Sequence, residues 1–169
     1  MEYNIKTRDY LVCTDLKNST LDALYSGSNE AIEILDYNLM SIVNTEAPIT
    51  LNTLKHRIRE TFGVAKISQK ALDIINERMD KLCFVKTNNL FDDVIWTDEG
   101  VFDVTHLRIN YSRQIYDIPY QELNILAKYL IDNGLSGEAL YREILKYFGY
   151  EVLTKKAFEY LSFVEKMVV

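Results

Sequence analysis

Six cations crowd the middle of the chain: Lys55, Arg57, Arg59, Lys66, Lys70 and Lys86. Such a cluster suits phosphate, because each phosphate neutralised by Lys or Arg releases counterions and adds salt-dependent affinity. Lys55 and Arg59 are four residues apart and share a face if the stretch is helical. The cluster stands out because the chain as a whole is acidic, with net charge −6. Residues 50–86 hold 8 basic and 4 acidic side chains (net +4); residues 1–49 hold 3 and 8 (net −5), 87–119 hold 2 and 6 (net −4), and 120–169 hold 6 and 7 (net −1). The overall charge argues against a generic nucleic-acid coat, whereas one basic block is the footprint of a local phosphate-binding face. The competing reading of these charges is an ordinary solvated helix face.

Other chemistries find less support. His56 and His106 are the only histidines, and no Cys/His/Asp spacing matches a zinc site. Cys13 and Cys83 are not in a CxxC, which suits a reduced, cytoplasmic setting, and Cys83 at a helix–strand junction reads as a buried structural thiol. Nucleophile-elbow, zinc-protease and phosphate-loop motifs are missing. Adjacent Asp92 and Asp93 would point to opposite sides of a strand. The expectation is a protein without catalytic residues, metal or cofactor.

The elements that would position the cations are two helices joined by a tight turn, over residues 49–82. Thr50 can cap the first helix and Ser68 the second. Leu51, Leu54, Ile58 and Phe62 form one apolar stripe; Leu72, Ile75, Met79 and Leu82 form another. Gly63 can take positive φ between them. The segment occurs again 86 positions later, over 135–168: Leu54 falls on Leu140, Phe62-Gly63 on Phe148-Gly149, and Lys70-Ala71 on Lys156-Ala157, with Thr50 on Ser136 and Ser68 on Thr154.

Upstream, Ile32, Leu35, Leu39, Ile42 and Val43 predict a further helix capped by Asn29 and stopped at Glu46-Ala47-Pro48; downstream, 83–87 and 93–96 read as strands about a turn at Asn88 and Asn89. Three helices and a β-hairpin is the order of a winged helix-turn-helix, with Trp96 as a core anchor of the wing. In the second unit Leu123, Leu126, Ala127 and Leu130 follow Pro119 as the first helix, and no wing follows the third. The fold class expected is mainly α with a small hairpin wing (α+β), in tandem winged helix-turn-helix-like units. The divisions are an extension over 1–29 (with a short helix within 16–25), a first winged-helix unit over 30–97, a connector over 98–118 with one strand in 101–109, and a second helix-turn-helix unit over 119–169. Each unit, at roughly 50–65 residues, is near the lower limit for an independent core, so the two are expected to fold as one body. Hydrophobic content is 48%, and neither a membrane-length apolar run nor a leader is evident.

Taken in order, these motifs resemble the winged-helix region near the C-terminal end of large bacterial superfamily 1 DNA helicases that also carry an endonuclease domain similar to very-short-patch repair enzymes. The pattern is carried by Ile42-Val43-Asn44-Thr45-Glu46-Ala47-Pro48, Arg57-Ile58, Phe62-Gly63, Trp96, Arg108, Ile118-Pro119-Tyr120-Gln121-Glu122-Leu123 and Phe148-Gly149. It covers about residues 35–168. Many relatives have Arg-x-Gly where this chain has Ala65-Lys66-Ile67-Ser68, so a role of that arginine would pass to Lys66. The resemblance implies an accessory module of a helicase–nuclease, whose ATPase and nuclease would lie in other residues of the same or a partner chain.

Two functions remain open at this point. One is weak, sequence-independent nucleic-acid binding through the first unit. The exposed face expected for its third helix (Gln69, Lys70, Asp73, Asn76, Glu77, Asp80) is too acidic for reading bases in the major groove. The alternative is protein docking or dimerisation through Tyr141, Tyr147, Tyr150 and Tyr160 of the second unit, against the plainer reading that these tyrosines pack internally.

Overall fold

The computed structural model describes residues 2–97 and 104–168. It is a mixed α/β chain, mostly helical with two small sheets. None of the described helices is long and apolar enough to cross a membrane. The chain divides into two compact units, neither of them a single run of sequence.

The first unit comprises Leu11–Thr87 and Val94–Gly100. A short helix α1 (Leu21–Tyr25) precedes α2 (Asn29–Glu46), α3 (Leu51–Thr61) and α4 (Gln69–Lys81). The expected helix within 16–25 is confined to α1. The cap of α2 is Ser28, whose hydroxyl accepts from the Ala31 N–H; Asn29, expected as the cap, is already the first helical residue. Thr50 accepts from Thr53 N–H and Ser68 from Ala71 N–H, so both helix starts of the 49–82 segment form as their sequence predicts. Gly63, at φ +63°, turns the chain out of α3, a conformation that needs no Cβ.

The sheet of this part of the chain is ordered β2 (Ile49–Thr50), β4 (Asp93–Trp96), β3 (Val85–Asn88). Strand β2 pairs antiparallel to β4, with Ile49 opposite Ile95 and Thr50 opposite Val94. Residue 50 therefore both ends a strand and caps a helix, which fixes α3 to the sheet. Leu39, Ile42, Leu54, Ile58, Ile75, Met79 and Ile95 are fully buried in one core. Trp96 is 4% exposed, and its indole N–H donates to Thr87 Oγ1 across the hairpin (2.7 Å).

The second unit comprises Met1–Tyr10, Asn88–Asp93 and Val101–Val169. Its sheet is a parallel pair, β1 (Thr7–Asp9) with β5 (Leu107–Ile109), Arg8 opposite Arg108. A 3₁₀ helix (Ile115–Asp117) leads to α5 (Tyr120–Asp132), α6 (Gly137–Tyr147) and α7 (Lys155–Met167). Helices α6 and α7 have the bounds of α3 and α4 advanced by 86 residues. Thr154 caps α7 by accepting from Ala157 N–H. Ser136 stands at the start of α6 but makes no capping bond; Glu165 Oε1 accepts from Gly137 N–H instead (2.9 Å) and Glu165 Oε2 from the Tyr141 hydroxyl. Leu123, Leu126, Leu130, Leu140, Ile144, Tyr160 and Leu161 are buried together.

These units differ from the divisions the sequence suggests. Residues 2–10 are not an extension: Tyr10 N–H bonds Ile109 O and Leu107 N–H bonds Lys6 O, which places them in the second unit. Residues 104–118 are not a free connector, since Leu107, Ile115 and Ile118 enter the second core. The expected strand is limited to β5, and residues 101–103 lie outside the described residues. The hairpin turn is also counted in the second unit, where Phe91 stacks on Tyr160 (6.0 Å) and meets Tyr116 edge-on (6.4 Å).

Candidate nucleic-acid interface

Helix α3 presents Lys55 and Arg59 one turn apart, both half-buried. Arg59 Nη1 donates to Ala65 O (3.1 Å), which ties the end of α3 to the turn carrying exposed Lys66. Its Nη2 lies 2.7 Å from His56 Nδ1. Lys70 is exposed in the first turn of α4, a turn without acidic residues, and its Nζ lies 4.8 Å from the centre of the Tyr25 ring. The positive end of the α4 dipole adds to the charge there. Among the described residues, no carboxylate forms an ion pair with Lys55, Arg59, Lys66 or Lys70.

The remaining cations of this stretch are engaged. Arg78 holds Asp36 through two bonds (2.8 and 2.6 Å), Lys81 pairs with Glu77 (2.6 Å) and Lys86 with Asp80 (2.9 Å). Lys86 remains exposed but shares its charge with a carboxylate. Beyond its first turn the outer face of α4 carries exposed Asp73, Glu77 and Asp80, with Asn76 half-buried. That face repels phosphate, so the free positive charge is confined to α3, the turn and the start of α4.

Arg57 does not belong to this surface. It is 8% exposed, and its guanidinium points inward. Nε donates to Glu46 Oε1 (3.1 Å), Nη1 to Glu60 Oε2 and Nη2 to Cys13 O, while Cys13 N–H donates back to Glu46 Oε1 (2.9 Å). Burial would lower the Arg57 pKa, but Glu46 and Glu60 outweigh it and hold the group above its ordinary value. The reason lies in helix periodicity: position 57 falls between Leu54, Ile58 and Thr61 on the buried side of α3.

A second internal cluster sits in the second unit. Glu122, 0% exposed, accepts from Arg108 N–H, Nε and Nη2 (2.9, 3.2 and 2.9 Å) and from Arg113 Nη1 and Nη2 (3.0 and 2.6 Å). Burial opposes ionisation of Glu122, yet the two guanidiniums prevail and keep its pKa below the usual glutamate value. The guanidinium carbons of both arginines lie 4.7 Å from the centre of the Tyr10 ring. Arg108 and Glu122 both belong to the quoted motifs, but nothing local in the sequence pairs them or brings in Arg113. The usable signal was Glu122 itself, an acid on the apolar face of α5 beside Leu123 and Leu126. Glu46, Arg57, Arg108 and Glu122 are thus charged residues of the quoted motifs that are engaged in the interior.

The tyrosines considered for docking are also engaged within their own unit. Tyr160 is fully buried and donates to Ile118 O (2.6 Å), Tyr141 is 4% exposed and Tyr150 donates to Arg113 O. Tyr147 is half-buried, edge-on to Tyr3 (5.0 Å) and to Phe148 (5.2 Å). Cys13 is buried, whereas Cys83 is exposed, at φ +56° just past α4, contrary to its reading as a buried thiol. Compared with protein-family models, with curated proteins and with solved structures, the chain matches none.

Proposed function

We propose that the first unit is a winged helix-turn-helix that binds the backbone of nucleic acid weakly and without sequence preference. In this reading the chain is a non-catalytic accessory module of a DNA-processing protein of the helicase–nuclease kind. The observation that carries it is the strip of four cations without carboxylate partners, Lys55, Arg59, Lys66 and Lys70, on a surface where the other cations are paired. The element order α2, β2, α3, α4, β3, β4 supports the winged-helix reading, since a strand between the first two helices completes the sheet of the wing. The acidic flank of α4 argues against base reading in the major groove and for contact with phosphates alone. The second unit lacks the same strip: 86 residues on, Lys55, Arg59 and Lys66 are replaced by Tyr141, Leu145 and Val152.

The experiment is fluorescence anisotropy of labelled single-stranded, duplex and forked DNA across a salt series. Four phosphate contacts predict a slope of log K against log salt of about −3.6 on duplex and about −2.8 on single strands. Alanine at all four positions should abolish binding, and Lys81→Ala should leave it nearly unchanged. Binding by the quadruple variant equal to the wild type would remove the assignment. The docking alternative rests now on exposed Val152 (70%) and Phe158 (44%), and failure of the wild type to bind at low salt would favour it.

A further inference from the structure

A cleft of about 550 Å³ in the second unit lies between residues 109–113 and 147–150. Its aromatic wall is a stack. Tyr10 is 6% exposed beneath the guanidiniums of Arg108 and Arg113, and Tyr111 lies parallel to it, centroids 4.6 Å apart and planes at 10°. Tyr111 is 37% exposed and lines the cleft. The turn that presents it is held from three sides. Asn110, in the left-handed region at φ +62°, donates from Nδ2 to Asp9 Oδ1 (2.7 Å); Arg113 Nη2 donates to Arg108 O (2.8 Å); and the Tyr150 hydroxyl donates to Arg113 O.

The cleft offers little accessible positive charge, because Arg108 and Arg113 share Glu122 and their side chains are only 4% and 3% exposed. A phosphate would find no exposed cation among the lining residues, where Arg113 alone is cationic and is buried. A flat, uncharged ring with polar edges would find the partly exposed Tyr111 ring, Ser112 and Tyr147 beside it, and a platform already ordered. We propose that this cleft receives an unstacked nucleobase of a single strand, with Tyr111 as the stacking residue. The inference rests on the nucleic-acid reading above, to which it adds a preference for single strands over duplex, whose bases are already stacked.

The test compares a labelled eight-nucleotide oligothymidine with an abasic strand of equal length, which keeps the phosphates and removes the rings. Wild type should bind the thymidine strand roughly 5- to 150-fold more tightly, the range expected from one stacked base. Tyr111→Ala should erase that difference without changing abasic binding, and Tyr111→Phe, which keeps the ring, should retain it. Circular dichroism of each variant checks the fold. Equal binding of the two strands by wild type overturns the inference while leaving the phosphate reading intact, and leaves the cleft to a peptide or other aromatic group. Loss of both strands at low salt overturns the two readings together, and an unchanged preference in Tyr111→Ala removes Tyr111 from the role.

Discussion

Replacing Glu122 by Gln should cost far more than its single charge suggests. The side chain keeps its shape, but its two oxygens take five hydrogen bonds from Arg108 and Arg113, whose side chains are 4% and 3% exposed. The amide brings two donors to a site already crowded with donors and leaves two guanidiniums without their counter-charge. Removing one partner of a buried ion pair costs about 3–5 kcal/mol. With a urea m-value of about 2 kcal/mol/M, the midpoint should fall by about 2 M. Glu138→Gln is the matched control: Glu138 holds Arg142 at 2.6 Å, but both side chains are 59% exposed, and such pairs are worth about 0–1 kcal/mol. Far-UV circular dichroism follows both units, whereas Trp96, the only tryptophan, reports on the first. The chain passes four times from one unit to the other (10/11, 87/88, 93/94 and 100/101), so the two signals should move together. A loss within about 1 kcal/mol of the control would refute the argument from burial, and a fluorescence transition that stays put while dichroism shifts would refute joint unfolding.

Further outcomes can be checked on the same protein. Arg57→Met should lower Tm by about 10 °C or more, because Glu46 is left buried, while Lys55→Ala should leave Tm nearly unchanged; equal Tm values would return Arg57 to the surface. The folded pKa of Glu122 is depressed, so its contribution is complete above the unfolded value of about 4.3 and is lost as pH falls through the folded one. Urea midpoints between pH 7 and 3 should therefore fall more steeply for wild type than for Glu122→Gln, and parallel curves would contradict this. In the native protein a thiol reagent should modify Cys83 quickly and Cys13 only on unfolding; two fast thiols would contradict the burial of Cys13.

The features legible in the sequence are those written in neighbouring residues. The caps at Thr50, Ser68 and Thr154 lie three residues from the amides they serve, and the stripes of α3, α4 and α5 follow from helical periodicity. Turn residues gave the hairpin ends and Gly63. What escaped was the choice of distant partners. Nothing local tells that Thr7 will align with Leu107, or that Glu165 will reach the first amide of α6 in place of Ser136. The candidate surface was readable as charge, since Lys55, Arg59, Lys66 and Lys70 remain available. Arg57 was misassigned because a count of charges ignores which side of a helix each one occupies. Lys86 was readable as exposed, but its pairing with Asp80 depends on how the chain turns after α4.

The parallel pairing of β1 with β5 has a consequence for biosynthesis. When Thr7–Asp9 leave the ribosome, the strand they bond is still about a hundred residues from being made. At about 5–20 residues per second that is a wait of roughly 5–20 seconds, during which the edge of β1 has no partner from its own chain. The residues of the first unit, synthesised in between, can complete their helices and core while Thr7–Asp9 still lack their partner strand. The second unit closes only when its segments on both sides of the first have emerged, and so it is the later of the two to be shielded from chaperones, proteases and mispairing with another copy.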